Sequence, residues 1–237
     1  RALRIVLDYR ADLAPTAPIV FLAVDAAGAP KLPPDVTGVL LAFDWMDTLG
    51  AALRLQPETR SVVVVAGTSG LDKRFLASAR AAFAGAPGRL EFTYVTDLPL
   101  EAVAATLATL PDRTIVFLVS FLRDGAGRNL TTVEALERLV EMSRVPIYGI
   151  TGAHMGHGIV GGRLIDFEMQ GARAGELGLR VLRGEKLGPA PAHLGLPLEP
   201  PLGLGGHLLR GSPKLGEQGG HQAPLLLEQG EQQVLRG

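Results

Sequence analysis

Residues 61–83 read SVVVVAGTSGLDKRFLASARAAF: a β-branched run, a glycine turn and then a segment of helix length. The run SVVVVA is apolar throughout instead of alternating with polar residues, which is typical of a strand buried on both faces. A strand, a short turn and a helix form half of the βαβ unit from which parallel sheets are built. This stretch therefore predicts an α/β fold.

The same order continues on both sides of this stretch. We predict further strands at residues 18–24, 36–43, 90–95, 114–119, 145–150 and 159–165, and helices at 44–55, 72–84, 100–110, from 131 onward, and 167–183. The expected architecture is a three-layer lobe, with helices covering both faces of a parallel sheet. Ligands of such sheets bind at the carboxyl ends of the strands. The loops at 67–71, at Asp97, at 120–128 and at 151–158 are therefore the candidate binding loops.

Composition narrows the function classes. The chain has 237 residues with 23 basic and 24 acidic side chains, a balance that argues against nucleic-acid binding. Because it has no cysteine, disulfides, thiolate metal sites and cysteine nucleophiles are excluded. The sequence contains no Walker loop, HExxH, GxSxG or kinase motif. We therefore predict a binding protein without a catalytic centre.

The loop 120–128, SFLRDGAGR, follows a predicted strand and contains charged, hydroxyl and aromatic side chains that could contact a ligand. Arg123 and Arg128 are suited to hold an anionic group by forked hydrogen bonds, Ser120 to donate a hydrogen bond, and Phe121 to stack on a planar or apolar ligand. The competing interpretation is that Arg123 pairs with Asp124 and only braces the loop. The residue types leave both interpretations open.

Other candidate ligand-binding residues are chosen because each follows a predicted strand: Asp25, Thr68, Ser69, Thr151 and His154. Residues 156–161, GHGIVG, match G-x-G-x-x-G, but a dinucleotide fingerprint must open a helix, whereas the segment that follows resembles a strand. His154 and His157 lack a convincing third ligand, so no metal and no cofactor are expected.

The segment 147–185, IYGITGAHMGHGIVGGRLIDFEMQGARAGELGLRVLRGE, resembles the closing part of type I periplasmic binding proteins, in particular the ABC-type substrate-binding family. Gly171, Ala174, Leu182, Gly184 and Glu185 match its helix pattern. Residues 32–40, LPPDVTGVL, resemble its link between lobes, and residues 61–83 resemble the start of its second lobe. The segment 117–128, FLVSFLRDGAGR, is similar to versions of the domain in bacterial sensor histidine kinases.

The resemblance implies a hinged two-lobe protein that binds a small solute outside the cytoplasm. Residues 39–158 are then the C-terminal lobe, 1–38 and 159–185 a partial N-terminal lobe, and 186–237 an irregular, disordered tail. The signal or anchor is expected to be missing from this piece, which starts inside a domain. The partner is an ABC permease or, alternatively, an attached transmembrane kinase. A nucleotide-binding cytoplasmic enzyme is the remote alternative.

Overall fold

The computed structural model describes residues 2–186, so the prediction for the tail lies, apart from Lys186, outside the described residues. The strands are β1 (Ile19–Asp25), β2 (Val36–Leu41), β3 (Ser61–Ala66), β4 (Glu91–Val95), β5 (Thr114–Ser120) and β6 (Ile147–Tyr148). The helices are α1 (Ala2–Asp8), α2 (Arg10–Leu13), α3 (Trp45–Leu55), α4 (Gly70–Phe83), α5 (Leu100–Ala108), α6 (Thr132–Met142) and α7 (Phe167–Leu182).

The larger sheet has the strand order β4-β3-β5-β6, and every neighbouring pair is parallel. The predicted α/β class and parallel sheet are confirmed. The two central strands, β3 and β5, are apolar on both faces because helices cover both sides of the sheet. All four carboxyl ends lie along one edge, which is the edge predicted to bind ligand.

The two faces of this sheet have separate cores. On one face, Val63, Val65, Val116 and Leu118 pack against α5 and α6. On the other face, the side chains that alternate with them pack against the aromatic residues of α3 and α4: Val62, Val64, Ile115 and Phe117 against Trp45, Phe75 and Phe83. This alternation follows from the two-residue period of a strand.

The smaller sheet consists of β1 and β2, which are parallel, with α7 packed against them. Among residues 2–186, its core of buried residues consists of Leu3, Phe21, Val36 and Leu40. Gly38 faces Phe21 across the pair, and a Cβ at Gly38 would lie 2.2 Å from the Phe21 carbonyl oxygen and 2.6 Å from its ring. Glycine is therefore required here by close packing.

The segment 159–165 extends the larger sheet beside β6. The Val160 amide donates to the Ile147 carbonyl at 2.8 Å, and the Ile165 amide donates to the Ile150 carbonyl at 2.8 Å. The pairing consists of isolated bridges instead of the continuous strand that the sequence predicts. It is interrupted at Gly162, whose φ of +154° and close approach to the Gly149 carbonyl oxygen leave no room for a side chain.

The predicted lobe boundaries lie close to two features of the sheet pairing. β2 continues the smaller sheet through Leu41, three residues past the predicted boundary at 38. The segment 159–165 pairs with β6 of the larger sheet, although it was predicted to belong to the first lobe. The division into two hinged lobes itself stays a prediction.

Candidate functional site

Three loops at the carboxyl edge of the larger sheet are fastened to one another by backbone hydrogen bonds. After β3, the Gly67 amide donates to the Ser120 carbonyl at 2.8 Å, and the Thr68 amide donates to the Arg123 carbonyl at 2.7 Å. After β5, the Gly125 amide donates to the Leu98 carbonyl of the loop after β4, also at 2.8 Å. The loops therefore form one continuous surface.

The fully buried carboxylate of Asp72 joins the loop after β3 to the loop after β5. It accepts hydrogen bonds from the Ser69 amide at 2.9 Å, the Ser120 hydroxyl at 2.5 Å, the Leu122 amide at 3.2 Å and the Arg123 amide at 3.3 Å. Several donors of this kind compensate the burial of a charged carboxylate. Asp72 thus fixes the loop after β5 to the start of α4.

Glycine is required at position 67, where the loop after β3 meets Asp72 and the loop after β5. A Cβ on Gly67 would lie 2.5 Å from the Arg123 carbonyl oxygen and 2.6 Å from an Asp72 carboxylate oxygen. The backbone of the loop after β3 therefore passes directly against the Asp72 carboxylate and the loop after β5, and any side chain would separate them.

A second buried carboxylate, Asp124, joins the loop after β5 to α5. It accepts from the amides of Ala126 and Arg128, both at 2.9 Å, and from the first amide of α5, Leu100, at 3.2 Å. Burial alone would raise the pKa of Asp124, but the amides of Arg128, Leu100 and Ala126 outweigh it, so that the pKa lies below the ordinary value. Asp124 is therefore charged and acts as a loop anchor.

These contacts use every backbone amide from Leu122 to Arg128. Leu122 and Arg123 donate to Asp72, Ala126 and Arg128 donate to the Asp124 carboxylate, and the remaining three amides donate to backbone carbonyls. The loop therefore has no backbone donor left for a ligand, and recognition by this loop must come from side chains.

Arg123 is the exposed side chain of this loop that is best placed for recognition. Its Nε donates to the Asn129 Oδ1 at 2.9 Å, and an antiparallel bridge joins the same two residues. Nη1 and Nη2 make no hydrogen bond to any residue between 2 and 186, so one edge of the guanidinium stays available for a planar anion.

The structure gives three other predicted residues of this region structural roles. Ser69 caps α4 in a capping box with Asp72, and the Ser120 hydroxyl is donated to the Asp72 carboxylate. The Thr68 hydroxyl donates to the Asp124 carbonyl at 2.8 Å. Ser69 and Ser120 both bond to Asp72 and hold the loops in position. Thr68 bonds to the loop after β5 instead of to Asp72.

The stacking role predicted for Phe121 requires correction. Phe121 is 1% exposed and belongs to the core on the α5 and α6 side of the larger sheet. β5 ends at Ser120, just after a register shift against β3, and the chain that follows places Phe121 in this core, so its ring has no face to offer a ligand.

His154 also requires correction, because it was predicted to be a rim residue contacting ligand or solvent. It is 1% exposed, neither ring nitrogen has a partner among the described residues, and burial together with the His157 charge lowers its pKa to about 4. Thr151 is half-buried and accepts from the Ala153 amide at 3.3 Å. Asp25 is half-buried at the end of β1, in the smaller sheet.

The alternative role of Arg123 as the ion-pair partner of Asp124 is not what the structure shows. Asp124 is held by amides, while Arg128 pairs with Glu134 at 2.5 Å. The sequence interpretation missed Asp72, Asn129 and the anchoring role of Asp124. The pattern Ser69-x-x-Asp72 is a capping-box variant and was the available signal for Asp72.

No described residues form a group of three or more metal-binding side chains. The glycines of 156–161 do not open a helix. Gly156 and Gly158 have φ of +79° and +100°, and Gly158 packs so closely on Val140 that a Cβ would lie 2.5 Å from its Cγ1. This is the geometry of a chain crossing and not of a phosphate-binding loop.

Several solved structures have a similar fold. A conserved domain protein from Vibrio cholerae O1 biovar El Tor strain N16961 matches with a TM-score of 0.51 and 18% identity, covering 73% of this chain and 60% of that chain. The ligand-free, open structure of a substrate binding protein with adhesive properties from Clostridium difficile matches with a TM-score of 0.53 and 18% identity, covering 71% of this chain and 58% of that chain.

A third structure is described as an ABC domain in complex with L-Trp from Streptococcus pneumonia. It matches with a TM-score of 0.52 and 17% identity, covering 71% of this chain and 58% of that chain. The chain has the fold of type I periplasmic binding proteins. At these identities the likeness concerns the fold alone.

The likeness to these structures is one of fold and not of sequence. No protein-family profile matches the chain, and no curated protein matches it in sequence. The chain spans about three fifths of the length of the three solved structures. Between residues 2 and 186, no helix is both long enough and apolar enough to cross a bilayer.

Proposed function

We propose that the chain is the solute-binding part of an extracytoplasmic two-lobe protein that supplies an ABC transporter. The observation that carries this proposal is the surface at the carboxyl edge of the larger sheet, where Asp72 and Asp124 hold three loops in one fixed arrangement. Loops held rigid in the absence of ligand reduce the entropy lost on binding. The fold shared with an open, ligand-free substrate binding protein supports the same function.

In this proposal the larger sheet forms one wall of the cleft and the smaller sheet contributes to the other. Asp25 stands at the carboxyl end of β1 and is the candidate from the second wall. The chain passes between the sheets after β2 and again before α7. Rotation of backbone in these two connections would close the lobes around the ligand, which is a hinge motion.

Arg123 defines the ligand class in this proposal. Because the amides of residues 122–128 are all used internally, a negatively charged ligand group is recognised by the guanidinium and not by the backbone. Nη1 and Nη2 match the two oxygens of a carboxylate. Thr151, which is half-buried, remains the candidate hydroxyl donor, whereas the Thr68 hydroxyl already donates to the Asp124 carbonyl and can only accept from a ligand.

Native mass spectrometry of the freshly purified 237-residue chain, followed by calorimetric titration with the recovered solute, tests this function. We expect Arg123→Ala to weaken binding by at least about tenfold, since a charged hydrogen bond contributes about 1.5–3 kcal/mol. Arg128→Ala is the matched control from the same loop, because Arg128 is already paired with Glu134. Equal affinities for the wild type and Arg123→Ala would remove the carboxyl edge as the binding site.

A second candidate function is the ligand-sensing region of a membrane histidine kinase. It is favoured by the resemblance of the segment 117–128, which forms the end of β5 and the loop anchored by Asp124. The coding sequence downstream distinguishes the two functions. A membrane-spanning segment followed by a kinase core supports sensing, whereas a stop codon beside permease genes supports transport.

A further inference from the structure

The amino-terminal edge of the larger sheet, opposite the candidate ligand loops, contains a cavity of about 370 Å³. Three turns line it: residues 56–59 before β3, 112–114 before β5, and 144–146 before β6. Its volume falls within the range of small-molecule sites, about 300–1,000 Å³. The solute-binding function proposed above uses none of these residues.

Four exposed charged side chains line the cavity, two of each sign: Glu58, Asp112, Arg113 and Arg144. Within residues 2–186, none of the four takes part in an ion pair or a side-chain hydrogen bond. The cavity is therefore lined by positive and negative groups that no other described residue neutralises by a direct ion pair.

Two uncharged polar groups at the same cavity also have no partner. The Gln56 Oε1 and the Thr114 Oγ1 are buried and make no hydrogen bond within the described part of the chain. Thr114 is 3% exposed. Neither atom is accessible to solvent, so both belong to the packing beneath the cavity and are not contacts for a bound molecule.

We propose that this cavity binds a small zwitterion, a molecule that carries both a carboxylate and an ammonium group. The carboxylate pairs with Arg113 and Arg144. The ammonium group, which only donates, meets the carboxylates of Glu58 and Asp112. The non-polar part of the molecule contacts the remaining lining, which includes Pro57, Val145 and Pro146.

Calorimetric titration of the 237-residue chain with L-valine tests the charge requirement. We expect saturable binding of L-valine, and at least about tenfold weaker binding of N-acetyl-L-valine, which lacks the ammonium group, and of L-valinamide, which lacks the carboxylate. Absence of saturable binding of L-valine, or equal affinity for all three molecules, would overturn the proposal.

Substitutions then locate the binding. We expect Arg144→Ala to weaken L-valine binding at least about tenfold, whereas Arg89→Ala, an exposed arginine at the same edge outside the cavity, leaves it unchanged. A weakening caused by Arg89→Ala, or an Arg144→Ala variant that binds like the wild type, would contradict the site.

The test separates this cavity from the carboxyl edge. Arg123→Ala should leave L-valine binding unchanged, because Arg123 lies at the opposite edge of the sheet. If Arg123→Ala abolishes L-valine binding and Arg144→Ala does not, the zwitterion binds at the carboxyl edge and the present inference is wrong, while the proposed solute-binding function stands.

Discussion

Most of the hydrogen-bond partners of Asp72 lie far from it in the sequence. Its partners Ser120, Leu122 and Arg123 are about fifty positions away, and its remaining partner Ser69 caps the same helix. Sequence spacing reveals only the local half of this set. The serines at 69 and 120 were therefore read as ligand donors, although both are already bonded to a buried acid.

Asp72→Asn tests this junction at nearly constant shape. The amide group offers one acceptor oxygen where two were used, and its nitrogen faces donors that need an acceptor. We expect a loss of about 3 kcal/mol in the free energy of unfolding, measured by urea denaturation.

Asp97→Asn is the matched control for that loss. Asp97 is an exposed acid at the same edge, with a φ of +60°, a conformation that asparagine also adopts. Its free energy of unfolding should change by less than about 0.5 kcal/mol. Equal losses of unfolding free energy in the two variants would show that the hydrogen bonds of Asp72 stabilise the fold no more than an exposed acid does.

The burial of His154 predicts acid sensitivity. Its pKa is about 4 in the fold against 6.5 ordinarily, so in this interval the unfolded chain binds a proton that the folded chain does not. Stability therefore falls as pH drops below 6.5 and does not depend on this group above it. We expect a loss of about 2 kcal/mol between pH 6.5 and pH 5, measured by thermal or urea unfolding.

His154→Leu should abolish this dependence of stability on pH, because leucine does not titrate and leaves no unsatisfied nitrogen. Asp124 titrates below its ordinary value of 3.8, so its contribution is lost only at lower pH and does not disturb the comparison. A slope that persists in His154→Leu would assign the acid sensitivity to another group.

At the scale of elements, the larger sheet was predictable because its signals are local. The strand at 61–66 has the predicted bounds, and the capping patterns at Asp44 and Thr131 mark the helix starts. The helices in residues 2–13 and the irregular pairing of 159–165 were not foreseen. Both depend on contacts with distant segments, which no window of residues contains.

The chain crossing offers a sharp test of element geometry. In Gly162→Ala, the new Cβ would lie 2.2 Å from the Gly149 carbonyl oxygen, so the backbone must move apart from β6. We expect a loss of at least about 2 kcal/mol in the free energy of unfolding. Gly175→Ala is the control: residue 175 lies in α7 with open space around it, and alanine there should add about 0.5–1 kcal/mol.

At the scale of the whole molecule, the two sheets differ in how well they are covered. The larger sheet has a core on each face, whereas α7 contains no buried residue and leaves Phe167, Met169, Leu179 and Leu182 exposed. A two-stranded sheet with so small a core has little independent stability. The resemblance to two-lobe proteins indicated this imbalance, but only the structure shows which surfaces are left uncovered.

Amide hydrogen exchange should therefore separate the sheets. We expect β1 and β2 to exchange through local opening at least about tenfold faster than β3 and β5, which open only with global unfolding. Peptides covering residues 19–41 and 61–66 allow the comparison by mass spectrometry in one sample. Equal protection of the two sheets would show that they unfold as a single cooperative unit.

The loop 122–128 has a consequence for protein engineering. Because its backbone amides are all satisfied within the protein, the loop keeps its shape independently of the exposed side chains that it carries. Positions 123 and 128 can be randomised as a pair while Asp124, Gly125 and Gly127 are retained. Such a library would sample new selectivities on a constant scaffold, so that each change in affinity could be assigned to a side chain and not to a rearranged backbone.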